Sequence, residues 1–174
     1  MVAMLQPRDI VVLLAVAHAA DGWTIRSLGE PIGVGTGAVH RALERLAAVG
    51  MYDPPRRQIN LAVTNEMIRH AARFLLHRDL GKPARGVATA WGAPPLVGLL
   101  GADAREAPPV WPTSTGEARG PSLEPLVANV AQLDAEKIVE DLALLDAIAV
   151  GDTRIRKLAA DLLMERLTTA VDSA

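Results

Sequence analysis

Residues 23–61 read WTIRSLGEPIGVGTGAVHRALERLAAVGMYDPPRRQINL, and the fold turns on this stretch. Trp23-Thr24-Ile25 offers an aromatic and a β-branched residue for a minimal strand. Leu28 and Ile32 then stand one helical turn apart, and Gly33 ends that run. Pro31 falls inside it, so the helix is expected to be short or kinked at Glu30. Val34-Gly35 makes a turn. A second helix follows from Thr36 to Val49, with the Thr36 hydroxyl as its cap. Val39, Ala42, Leu43 and Leu46 form one buried stripe, while Thr36, Gly37, His40, Arg41, Glu44 and Arg45 occupy the opposite face. Gly50 closes this helix. Met51-Tyr52-Asp53 and Gln58-Ile59-Asn60-Leu61 then read as two strands joined by Pro54-Pro55-Arg56-Arg57, a hairpin with a basic tip.

Two helices around a glycine turn, followed by a hairpin with arginines at its end, resemble the winged helix-turn-helix regulators of the MarR-like and related bacterial classes over roughly the first 65 residues. The resemblance implies that the helix 36–49 enters the major groove of double-stranded DNA and that the hairpin lies on the backbone or in the minor groove. The DNA-binding residues it implies are Arg26, Thr36, Gly37, His40, Arg41, Arg45, Arg56 and Arg57. Gly33-x-Gly35-x-x-Ala38, with Asp53 twenty residues after Gly33, also fits a loose dinucleotide fingerprint. That reading requires a hydrophobic parallel strand before Gly33, where Arg26, Ser27, Glu30 and Pro31 stand instead.

Upstream, Pro7 begins a helix through Ala20 whose run Ile10 to Leu14 supplies core. Downstream, Thr64 is placed to cap a linking helix over residues 64–80, with Met67, Ala71, Phe74 and Leu75 on one side. Residues 81–125 are rich in proline and glycine. Short strands are expected near Pro109–Trp111 and Glu117–Leu123, with a brief helix from Pro95 to Leu100. Trp91, Trp111 and the scattered aliphatics give this stretch surface to bury, so an ordered module is expected rather than a linker. Ala135–Val150 and Thr153–Leu167 carry apolar stripes and should form an antiparallel helical hairpin. In it Gly151 acts as a left-handed C-cap and Asp152 or Thr153 as the N-cap.

The expected architecture is mainly α with small β content. Residues 1–63 form the winged helix-turn-helix, 64–80 the linking helix, and 81–174 a C-terminal α+β or helical module for dimerisation or partner contact. The segments Arg85-Gly86-Val87, Ala93-Pro94-Pro95-Leu96, Pro109-Val110-Trp111-Pro112 and Leu144-Leu145-Asp146-Ala147 resemble a region found in uncharacterised prokaryotic winged-helix proteins. That likeness assigns no functional residue.

The chain has 174 residues and a net charge of −2. Residues 1–80 hold nine Lys/Arg against seven Asp/Glu, and residues 81–174 nine against thirteen. DNA binding would therefore rest on a local cluster, Arg26, Arg41, Arg45, Arg56 and Arg57, rather than on a basic domain. There is no cysteine, which removes disulfides and thiolate metal sites. The start lacks a basic leader, and the run from Ile10 to Ala17 is too short to span a bilayer, so the expected location is the cytoplasm, without a membrane partner.

No enzyme is expected. His18 sits in an apolar helix as a structural residue. His70 and His77 are seven apart, about 10 Å along a helix, too far to wrap one metal. Thr113-Ser114-Thr115-Gly116-Glu117 lacks a Walker ending and a nearby base, and reads as a polar turn. No cofactor or metal is implied. The expected function is a sequence-specific, homodimeric transcriptional regulator. The rival is a protein-interaction module, such as an antitoxin or complex subunit, that uses the same scaffold. A ligand-responsive repressor would need a pocket, which Trp91 and Trp111 could line, although core packing is the plainer role for both.

Overall fold

The computed structural model describes residues 4–100 and 106–173. Helix α1, Pro7–His18, begins with proline in its first turn and a reciprocal cap between Gln6 and Asp9. Every residue from Asp9 to Ala17 is buried. A helix apolar on all sides needs neighbours on all sides, and α1 has them in helices from both halves of the chain.

The expected strand at Trp23–Ile25 is not formed. Ile25 instead opens α2, Ile25–Gly29, because the Thr24 hydroxyl accepts from the Ser27 N–H at 3.1 Å and the Ser27 hydroxyl accepts from the Thr24 N–H at 2.8 Å. Pro31 acts as its position dictates: α2 gives way to a 3₁₀ turn, Glu30–Ile32, and Gly33 follows at φ +65°. A helical turn therefore stands where a dinucleotide fold would need a strand. Helix α3, Thr36–Ala48, buries Val39, Ala42, Leu43 and Leu46 as expected. Its cap is Gly35, with no side-chain bond, and Thr36 is its first helical residue rather than its cap. Strands β1, Tyr52–Asp53, and β2, Gln58–Ile59, pair antiparallel with Tyr52 opposite Ile59.

The linking helix starts earlier and ends earlier than its periodicity suggested. Asn60 accepts from the N–H groups of Ala62 and Val63, so α4 spans Leu61–His70. Thr64 lies buried within it, and its hydroxyl has no partner among the described residues. An amide oxygen that accepts two orphan donors is the stronger cap. Asn60→Ala should lower the stability by about 1 kcal/mol, read from urea midpoints at unchanged slope. After a break at Ala71, α5 covers Ala72–Leu75. Met67, Ile68, Ala72 and Leu76 face inward, which leaves Phe74 69% exposed instead of buried.

Strand β3, Pro83–Ala88, is the centre of a three-stranded antiparallel sheet. After the short helix α6, Val97–Leu100, the strands β4, Val110–Pro112, and β5, Ala118–Pro121, flank β3 on its two edges. Gly86 permits this packing, since a Cβ there would lie 2.1 Å from the Trp111 carbonyl oxygen. Helices α7, Glu136–Val150, and α8, Thr153–Asp172, form the expected hairpin. Asp152 caps α8 by accepting from the Ile155 N–H at 2.8 Å. Gly151 is not left-handed: it is extended at φ −74°, and glycine is needed because a Cβ would sit 2.4 Å from the Ala147 carbonyl oxygen.

Among the described residues helices make up about 55% and strands about 11%, so the protein is mainly α with small antiparallel sheets. One hydrophobic cluster runs from Ile10 to Leu167. The borders expected near residues 63 and 80 therefore do not separate two cores. Trp91 and Trp111 are part of this cluster, 6% and 3% exposed.

Three buried carboxylates join the elements around that cluster. Asp9 on α1 takes a two-pronged bond from Arg45 on α3, at 2.8 and 2.6 Å. Asp141 on α7 meets His18 Nε2 at 2.6 Å and also accepts from Arg166 on α8. Asp146, also on α7, accepts from Trp111 Nε1 at 2.7 Å, from the Thr89 hydroxyl at 2.8 Å and from Arg78. Burial raises the Asp146 carboxyl above its usual range, against the opposing pull of Arg78 and the three hydrogen bonds.

Candidate nucleic-acid interface

The exposed side of α3 begins where the chain turns at Gly35. With no side chain capping the helix, the amide groups of Thr36 and Gly37 face solvent at its positive end. Thr36, Gly37, His40 and Arg41 are all exposed. Arg41 forms no ion pair among the described residues, and its guanidinium reaches back over Gly37, where a Cβ would lie 3.5 Å from it. His40 Nδ1 is 3.5 Å from Glu44 Oε2. Arg26, on α2, has an 80% exposed side chain and bonds Glu30 at 2.8 Å one turn later.

Arg45 departs from the expected face. Three residues beyond Ala42, it borders the buried stripe, and its side chain folds back to Asp9, leaving only 14% exposed. That hydrogen bond holds the guanidinium above its ordinary pKa despite the desolvation. Arg45 fastens α3 to α1 and is not available to a ligand.

The hairpin tip divides its two arginines. Arg57, at φ +55°, lays its guanidinium 4.0 Å over the Trp23 ring and donates to the Trp23 carbonyl, while Trp23 itself packs 6.3 Å from Tyr52. Such a contact fixes the tip against the start of α2. Arg56 points away, 79% exposed, with only a 3.8 Å approach to Asp53. No family model, curated protein or solved structure matches this chain.

Four of the eight expected residues, Thr36, Gly37, His40 and Arg41, lie together on the first turns of α3. Arg26 and Arg56 extend the charge onto α2 and the hairpin, Arg57 acts as the hinge post of the tip, and Arg45 is internal. Sequence reasoning missed the counter-charges: Glu30, Glu44 and Asp53 stand three or four residues from Arg26, His40 and Arg56, a spacing that brings side chains together. The face is thus a set of short-range pairs with Arg41 as its unpaired cation.

The remaining candidates lie elsewhere in the fold. His18 is bound to Asp141. His70 closes α4, whereas His77 lies beyond α5 and pairs with Asp79 at 3.3 Å, so the two histidines share no helix. Among the described residues no group of three His, Asp or Glu side chains could hold a metal ion. Thr113–Glu117 forms the β4–β5 loop, with the Thr113 and Thr115 hydroxyls 3.1 Å apart. No helix among the described residues is long and apolar enough to cross a membrane.

Proposed function

We propose that α2, α3 and the β1–β2 hairpin constitute a winged helix-turn-helix that binds double-stranded DNA, and that the chain is a cytoplasmic, homodimeric transcriptional regulator whose C-terminal half supplies the dimer or partner contact. The observation that carries the reading is Arg41, unpaired on the exposed first turns of α3 and flanked by Arg26 and the hairpin's Arg56. In this arrangement Thr36, Gly37, His40 and Arg41 approach base edges, with the free amides of the first turn available to a phosphate. Arg56 takes the backbone or the minor groove, and Arg57 keeps the tip in place.

A titration of the full chain against its own upstream DNA tests this. Arg41→Ala should weaken binding about tenfold or more, and Arg56→Ala should flatten the slope of log affinity against log salt by about one. Unchanged affinity and slope in the double variant would sink the assignment. A protein partner, antitoxin-like or as a complex subunit, is the second reading. The acids beside Arg26, His40 and Arg56 favour it, since they cancel much of the charge that a phosphate backbone needs.

A further inference from the structure

A second group of cations lies away from α3. Arg69 and Arg73, from α4 and α5, and Arg156 and Lys157, from the first turns of α8, line a groove of about 220 Å³ floored by Ile68, Ile148 and Ala160. Among the described residues only Arg69 has an acidic partner, Asp161 at 2.6 Å. Arg73, Arg156 and Lys157 line it without one, in a chain whose net charge is negative.

Three of these side chains are already held in place. Arg69 Nε donates to Asn65 at 2.7 Å, Arg156 donates to the Thr153 hydroxyl at 3.2 Å, and the Arg73 guanidinium lies 4.6 Å over the Phe74 ring. Phe74, the chain's single phenylalanine, is 69% exposed beside Arg73 at the edge of this group. Like charges placed together carry a repulsion that an anion relieves, and fixed guanidiniums lose little freedom in binding it. An exposed ring next to bound phosphate offers a stacking surface to a base.

We propose that this groove binds the phosphate chain of a nucleotide, with the base laid on Phe74. The site is separate from the α3 face. Val171, near the far end of α8, lies beside Arg56 and Arg57, and Lys157 is fourteen residues earlier, about 21 Å along the helix. The proposal holds whether or not α3 binds DNA.

Calorimetric titration of the full chain with inorganic triphosphate, with adenosine triphosphate and with adenosine provides the test. Both phosphates should bind one to one and adenosine should not. Arg156→Gln with Lys157→Gln should weaken both by about tenfold or more, with unchanged circular dichroism. Phe74→Ala should lower the affinity for adenosine triphosphate toward that for inorganic triphosphate and leave the latter alone. Arg41→Ala with Arg56→Ala should change neither, which keeps this result apart from the DNA titration. Absence of binding, or binding undiminished in the Arg156/Lys157 variant, would overturn the proposal. So would a groove that loses only a labelled single-stranded oligonucleotide on mutation, since that would make it a contact for a nucleic-acid strand.

Discussion

Arg45→Ala is expected to destabilise the fold by about 3–5 kcal/mol, the usual cost of removing one partner of a buried ion pair. Asp9 has a side chain only 1% exposed and takes two hydrogen bonds from Arg45, so the substitution strands a carboxylate between α1 and α3. Asp9 retains only the Gln6 N–H, at 2.7 Å. Equilibrium unfolding in urea reads the loss directly. The control is Asp9→Leu with Arg45→Met, which removes both charges. It should recover most of the stability, less about 1 kcal/mol for the lost cap at Gln6. In the DNA titration that tests the proposed function, any weakening in Arg45→Ala should track the folded fraction, and the double variant should match the parent. Full stability in Arg45→Ala combined with DNA binding lost from a parent that binds would return Arg45 to the proposed recognition face.

Arg78→Ala should cost a similar amount, about 3–5 kcal/mol, with a pH dependence set by Asp146. Arg78 leaves the chain just after Leu76 and donates to Asp146, to the Glu124 carbonyl at 2.6 Å and to the Leu76 carbonyl at 3.1 Å. The carboxyl of Asp146 is raised in the folded state because burial penalises its charge. An acid with a raised folded pKa favours folding most below its unfolded value, and that contribution is lost as pH rises through the folded value. Without Arg78 the opposing charge is gone and the folded pKa climbs further. The destabilisation should therefore be larger at pH 8 than at pH 5. Adding Asp146→Asn should abolish the difference, since an amide keeps an acceptor for Trp111 and Thr89 without a charge. Equal losses at both pH values would mean that Arg78 acts through its two carbonyl bonds alone.

The legible parts of the fold are those with a local cause. The stripe Val39, Ala42, Leu43 and Leu46 set α3, Pro31 shortened α2, and Pro54-Pro55-Arg56-Arg57 made a tip. Strand β3 escaped because Pro83, Ala84, Gly86 and Ala88 are poor strand formers. It exists through a close approach to β4 that only Gly86 permits, and such contacts leave no period in the chain. Arg45 was misplaced because a long side chain at the border of a stripe can turn either way, and Asp9, not its own helix, decides which. The signal for that pairing was present. Asp9, Asp141 and Asp146 each interrupt or abut an apolar run, and a buried acid requires a donor from elsewhere. The donor's identity was beyond reach, since Arg45, Arg166 and Arg78 come from other elements, 25 to 68 residues away.

Helix α1 has no outer side, and this limits how the chain could have been assembled. An N-terminal unit that owned its own core could be joined to any C-terminal unit and traded between proteins. Here Ile10 to Ala17 belong at once to α3 and to the α7–α8 hairpin, so neither half is portable. Substitutions on the inner face of α7 or α8 must be matched on α1, and through α1 on α3. The two ends of this chain are therefore expected to vary in concert, with free drift confined to the exposed loops.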